Sequence, residues 1–190
     1  MTTTSRLPAA ERSQALVETA IRVFAEGSYR GTTTAEIARA AGVSEPILYR
    51  HFASKRDLFL AALDHVWAQA RDAWRDAPTW APDHQLVVRE SKFLLAELWA
   101  QALTEAADDA AVRQHLHDHL QNVHDFVAAA IRQGQEAGVI QPDRDPEAEG
   151  WLFIAGGLLG MLGRRIGLPT DEDLTRVRQS RLAWMRTAKP

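Results

Sequence analysis

Between residues 34 and 49 the sequence reads TAEIARAAGVSEPILY, and its small residues Ala38 and Gly42 constrain the local fold more than any other feature. A side chain as small as that of Ala38 lets one helix approach another closely, and Gly42 supplies the backbone freedom for a sharp turn between them. Ile37, Val43 and Leu48 provide a shared apolar core, and Ser44 opens the second helix with Pro46 in its first turn, where a missing N–H leaves no acceptor unsatisfied. The pattern predicts two short helices meeting at a tight turn. Ala-x-x-x-Gly between amphipathic helices also occurs in ordinary helical packing, so the spacing alone leaves both readings open.

The remainder of the chain is patterned the same way. Sustained alternation of β-branched residues is missing, and apolar residues recur at helical spacing in segment after segment. Leu16, Ala20, Val23, Phe24 and Gly27 share one face of a first helix starting near Pro8; Thr33 or Thr32 caps a second helix running to Arg39 or Ala40. Ser54-Lys55-Arg56-Asp57 matches the capping-box pattern and opens a long fourth helix with Phe59, Leu63, Val66, Ala70 and Trp74 on its apolar face. Asp76 to Asp83, with two prolines, reads as a loop. Further helices are expected over 83–105, 109–114, 116–137, 146–165 and 171–186, separated by Gly138, Pro142, Pro146, Gly167 and Pro169. The expected fold is all-α with about nine helices, in two domains covering 1–55 and 56–190.

Charge and composition narrow the function classes. A formal net charge of −3 argues against a non-specific nucleic-acid coat, which would be basic. From Met1 to Asp57, however, eight Lys/Arg stand against six Asp/Glu (+2), leaving 14 against 19 (−5) for the rest. A mildly basic head on an acidic body suits a DNA reader with a separate second domain. With no cysteine, disulfides, thiolate metal sites and cysteine nucleophiles are excluded, which fits a cytoplasmic protein. The N-terminus has no secretory pattern, and no apolar run is long enough to span a membrane.

The polar residues around the tight turn fall where phosphates would sit. Thr34 and Ser44 stand at helix starts, where backbone N–H groups favour an anion. Tyr49, His51 and Lys55 offer a hydroxyl, an imidazole N–H and an ammonium, donors that fix register on a duplex without reading sequence. Base reading falls to Glu45, Pro46, Ile47 and Arg50: Arg50 to guanine, Glu45 to cytosine N4, Pro46 or Ile47 to a thymine methyl.

The segment Phe24 to Phe59, FAEGSYRGTTTAEIARAAGVSEPILYRHFASKRDLF, resembles the DNA-binding domain of the TetR (tetracycline-repressor-like) family of bacterial regulators. The matching features are the Phe and Gly closing helix one, Thr-Thr-x-x-x-Ile-Ala, Ala-Gly-Val-Ser, and Leu-Tyr-x-His-Phe-x-x-Lys-x-x-Leu, the last running from Leu48 to Leu58 and being the most specific. The resemblance is close over about the first sixty residues. It implies DNA contacts from Thr34, Ser44, Glu45, Pro46, Tyr49, His51 and Lys55, a repressor that binds a palindromic operator as a homodimer, and release by a small-molecule inducer. Ile47 stands where many relatives carry a small hydroxyl residue and Arg50 occupies a variable position, so operator sequence does not transfer.

For the C-terminal body the resemblance implies ligand binding and dimerisation through the last two helices. Gly156, Gly160 and Gly163 form a stripe on the penultimate helix. Each interior glycine costs about 1 kcal/mol relative to alanine, so something must pack close to that backbone, either this chain or a second copy. Leu174, Val177, Leu182 and Met185 give the last helix an apolar stripe for a partner. Trp67, Trp74, Phe93, Trp99, Phe126 and Trp151 are candidate walls for an apolar or aromatic effector, and each could equally be core. His115 and His119 share a face, as do His117 and His124, but no third ligand is evident, so these histidines read as solvated helix surface and no metal or cofactor is expected. Glycine-rich phosphate loops, G-x-S-x-G and H-E-x-x-H are all missing, which argues against an enzyme. A purely structural helical module would leave the helix-end cluster of Thr34, Ser44, Tyr49, His51 and Lys55 without a purpose.

Overall fold

The computed structural model describes residues 8–76 and 84–186, with side-chain detail for 8–75 and 94–186. Of the loop expected from Asp76 to Asp83, Asp76 is the last residue of the fourth helix, and residues 77–83, like the side chain of Phe93, lie outside the described residues. Eight helices are described: α1 (Ala9–Glu26), α2 (Thr34–Ala40), α3 (Glu45–Tyr49), α4 (Lys55–Asp76), α5 (His84–Glu105), α6 (Ala110–Glu136), α7 (Pro146–Ile166) and α8 (Asp171–Met185). Among the described residues the only extended pairing is an isolated antiparallel bridge between Ile140 and Arg186. The all-α expectation holds. The count is one lower because the segments expected at 109–114 and 116–137 are a single helix, α6. Nothing between Gln114 and Leu116 breaks it, and Asp109 caps it once, its carboxylate accepting from the N–H groups of Ala111 and Val112.

The chain divides into two compact units, residues 1–66 and 67–190. In the first, α1 buries Leu16, Ala20 and Phe24, while Val23 is only half-buried. Phe24 meets Phe59 edge-on with ring centroids 5.1 Å apart, and Tyr29 lies 4.8 Å from Phe59, closing an aromatic cluster beneath the α1–α2 turn. Thr33 caps α2 through a reciprocal box with Glu36: Glu36 N–H donates to the Thr33 hydroxyl, and Thr33 N–H donates to the Glu36 carboxylate at 2.8 Å. That hydrogen bonding, from the Thr33 backbone first and its hydroxyl second, holds the Glu36 carboxyl below the usual range.

In the second unit α7 packs against α6 and α5, and α8 against α7. Its apolar core gathers Trp74, Val127, Ala130, Ile131, Ile140 and Met185, with Phe126, Val139 and Phe153 against them. A buried ion pair ties α7 to α8: Glu149, 1% exposed, accepts from the Arg181 guanidinium through both its carboxylate and its backbone carbonyl. Burial lowers the Arg181 pKa and the Glu149 charge opposes that shift. The solvated-surface expectation fails for two of the four histidines. His119 and His124 are buried, His117 is exposed and His115 lies between. His119 meets the Trp99 ring edge-on, and the His124 ring lies under that of Trp151, with Nδ1 3.0 Å from Asp125 Oδ1 and Nε2 3.1 Å from the Glu147 carbonyl. Residues 147–151 come from α7, so spacing within α6 gave no sign of this burial.

Candidate nucleic-acid interface

The turn between α2 and α3 takes the form the sequence predicts. Gly42 has φ +69°, the left-handed region, with open space where a Cβ would stand, so conformation rather than crowding requires glycine. Gly42 N–H donates to the Arg39 carbonyl and Val43 N–H to the Ala38 carbonyl, the paired bonds of a Schellman stop. Ile37, Ala38 and Leu48 are fully buried at the α2–α3 crossing, so α3 is seated by its inner face.

That seating decides which α3 side chains reach outward. Ser44, Pro46, Tyr49 and Arg50 are exposed, Tyr49 by 47%. Glu45, Ile47 and His51 are half-buried. Ser44 precedes α3 and makes no side-chain cap to its amides, which leaves the hydroxyl outside the helix's own bonding. Thr34, by contrast, is buried, and its hydroxyl bonds the Glu45 carboxylate and lies 3.1 Å from the Tyr49 hydroxyl. This three-residue link pins the N-terminus of α2 to both ends of α3.

Lys55 is also committed inward. Its Nζ donates to the backbone carbonyls of Tyr29 at 2.8 Å and Thr32 at 3.0 Å, and it lies 4.4 Å from the centre of the Tyr29 ring. Tyr29 has no role in the sequence reading, and Thr32 enters it only as an alternative cap of α2, which the structure gives to Thr33. Partners 26 and 23 residues away leave no local pattern to find.

The candidate effector and dimer residues scatter more widely. Trp67, Trp74 and Phe126 come together, Phe126 meeting each indole edge-on at 5.4 and 5.8 Å. Trp99 is buried elsewhere against His119, and Trp151 is half exposed on the surface. Of the glycine stripe, Gly156 is exposed, Gly160 is buried, and Gly163 faces this chain's own α7–α8 connection: a Cβ there would lie 2.6 Å from the Pro169 carbonyl oxygen. Leu174 and Met185 are buried within the chain, Leu182 is half-buried and Val177 is exposed. The outward apolar side chains of α7 are Trp151, Leu152, Leu162 and Ile166, with Val177 and Trp184 on α8.

A capped helix, a glycine-stopped turn and a short second helix seated by its inner face define a helix-turn-helix module at the head of an all-helical chain. Residues 16–62 match the model for bacterial regulatory proteins of the tetR family, a family of regulators rather than enzymes, so this part of the chain is similar to that family's DNA-binding domain. A curated relative, the HTH-type transcriptional activator FasR of Mycolicibacterium smegmatis, is 43% identical over 75 residues, which are 37% of this chain and 34% of that protein. The matched part thus spans about a third of that relative's length. Among solved structures, a TetR-family regulator from Rhodococcus sp. superposes with TM-score 0.75 at 22% identity, covering 93% of this chain and 99% of that one. A regulator from Saccharomonospora viridis in complex with choline superposes with TM-score 0.67 at 25% identity, covering 94% and 100%. Among the described residues no helix is long and apolar enough to cross a membrane.

Proposed function

We propose that this chain is a transcriptional regulator of the cytoplasm, a repressor that binds a palindromic operator as a homodimer and is released by a small-molecule inducer. Residues 1–55 form the DNA-binding domain and residues 56–190 the ligand-binding and dimerisation domain. The observation that carries the reading is the outward face of α3: Ser44, Pro46, Tyr49 and Arg50 project from a helix whose inner face is wholly occupied. A protruding helix of that kind fits the major groove. Ser44, Tyr49 and His51 supply phosphate contacts that set register, and Glu45, Pro46, Ile47 and Arg50 face the bases.

A second copy covers the outward apolar side chains of α7 and α8, because reading two half-sites requires a rigid dimer. The effector is apolar or aromatic, in keeping with the cluster of Trp67, Trp74 and Phe126. Two of those rings belong to α4, so a ligand seated against them acts on the helix whose first turn abuts the DNA-binding domain. The choline complex of the Saccharomonospora protein supports a small-molecule signal for the fold without naming this chain's own. Release then follows if the ligand binds better to the arrangement that cannot span both half-sites.

Selection of duplexes from a random-sequence pool by the full chain tests this. The expected product is an inverted repeat with half-site centres about one helical turn, roughly 10 bp, or a multiple apart. The double variant L162E/I166E is expected to sediment as a monomer and lose that preference. A pool that shows no enrichment, or a single half-site bound by a monomer, would refute the reading.

A further inference from the structure

Lys55 is the first residue of α4, where the positive end of the helix dipole disfavours a cation. It is held there by other forces. Two of its three N–H donors go to the carbonyls of Tyr29 and Thr32, the ends of the turn joining α1 to α2, and the ammonium also contacts the face of the Tyr29 ring. The Tyr29 ring in turn packs on Phe59, one turn further along α4, so the turn is gripped at two successive positions on one face of that helix. Thr32 is buried, and the next two residues are the α2 cap Thr33 and the α3 anchor Thr34. An unbroken series of bonds therefore runs from Lys55 through the 29–32 turn and Thr34 to Glu45 and Tyr49 on α3.

We propose that Lys55 is a positioning residue that couples the first turn of α4 to the α1–α2 turn, and through it to the recognition helix, rather than a donor to DNA phosphate. This deepens the function argued above and rests on it for the claim that DNA is the partner. When α4 shifts, the two carbonyls held by Lys55 shift with it, and the N-terminus of α2 is carried along. A phosphate would have to take the ammonium from two backbone acceptors, or make do with its one remaining N–H.

The test compares the full chain with K55M, which keeps the stem and removes the donors, and with R50M as a control for an outward cation. The first measurement is hydrogen–deuterium exchange over residues 28–36, without DNA. K55M is expected to accelerate it and R50M to leave it unchanged. The second is the salt dependence of affinity for the duplex enriched by selection. R50M, which removes a base-facing cation, is expected to weaken binding and to relax the base preference at the position it contacts. K55M is expected to weaken binding about ten-fold at every salt concentration with the slope of log K against log[salt] unaltered.

Unchanged exchange over 28–36 in K55M, or a slope shallower by about 0.9, would overturn the proposal and restore Lys55 as a phosphate contact. If K55M does not fold, the same two measurements on K55R and K55Q decide, with K55R expected to retain most of the protection that K55Q loses. If no duplex is enriched, the functional reading fails, and the exchange measurement still decides whether Lys55 holds the turn.

Discussion

Replacing Gly163 by alanine sets two effects of known sign against each other. Gly163 lies inside α7, where alanine is favoured over glycine by about 1 kcal/mol. The added methyl, however, would stand 2.6 Å from the Pro169 carbonyl oxygen and 3.1 Å from Leu174 Cδ1. Carbon and oxygen ordinarily meet no closer than about 3.3 Å, so the overlap with Pro169 is roughly 0.7 Å. Leu174 can turn aside, but the Pro169 oxygen is backbone, and relieving it means moving the α7–α8 connection. Overpacking of this kind costs about 1–3 kcal/mol. Taking the middle of that range, G163A loses about 1 kcal/mol net, equivalent to roughly 2–4 °C in a chain of this length. Thermal and denaturant melts of G163A should be read beside those of G156A, at an exposed position of the same helix where propensity acts without the Pro169 overlap. G156A should gain stability while G163A loses it. If G163A melted higher than the parent by as much as G156A, the close approach to Pro169 would be energetically empty and the argument wrong.

The Glu149–Arg181 pair gives a larger effect. Arg181→Met leaves a carboxylate that is 1% exposed without its counter-charge, and a loss of about 3 kcal/mol is expected in denaturant melts. Adding Glu149→Gln should return part of it; a double variant no better than R181M would show that the side chains matter by packing alone. Acid should act on α2 and α8 together, since Glu36 and Asp173 both have depressed pKa values from the hydrogen bonds of Thr33 and Thr170. Depressed folded values mean that this stabilisation is complete above the ordinary carboxylate range and fades as pH falls through that range towards the folded values. T33A should lower the melting midpoint by roughly 2–4 °C near neutrality, while keeping the backbone N–H that is the larger cause of the Glu36 shift; E36Q removes the titrating group and should flatten the acid limb of the stability profile, and an E36Q limb as steep as the parent's would refute the assignment.

Features that depend on near neighbours in the chain were readable from the residues. The five apolar positions expected on the long helix, Phe59, Leu63, Val66, Ala70 and Trp74, are all buried, because a 3.6-residue repeat needs only itself to declare a face. The stop at Gly42 was readable for the same reason. What escaped depends on elements that meet from far apart. His124 is buried by residues of α7 more than twenty positions away, and Gly163 answers to a connection that only the fold of α8 brings back. A glycine stripe signals that something packs closely and is silent on which molecule does so. At Gly163 the neighbour is the chain itself, while Gly156 is exposed within the chain.

At the helix-turn-helix the same distinction redraws the list of contacts. Thr34 and Lys55 carry the hydroxyl and ammonium that a phosphate would accept from, yet both direct those donors into the domain. Glu45 straddles the two roles. One carboxylate oxygen holds Thr34, and a carboxylate has acceptor capacity to spare for a cytosine amino group. Changing Glu45 therefore alters a base contact and the seating of α3 at once, whereas Arg50 projects from the end of the helix and alters only what it touches. Operator preference in this chain should be sought first at Arg50 and Pro46, the exposed positions, because an effect seen there reports on bases and not on the geometry of the helix that presents them.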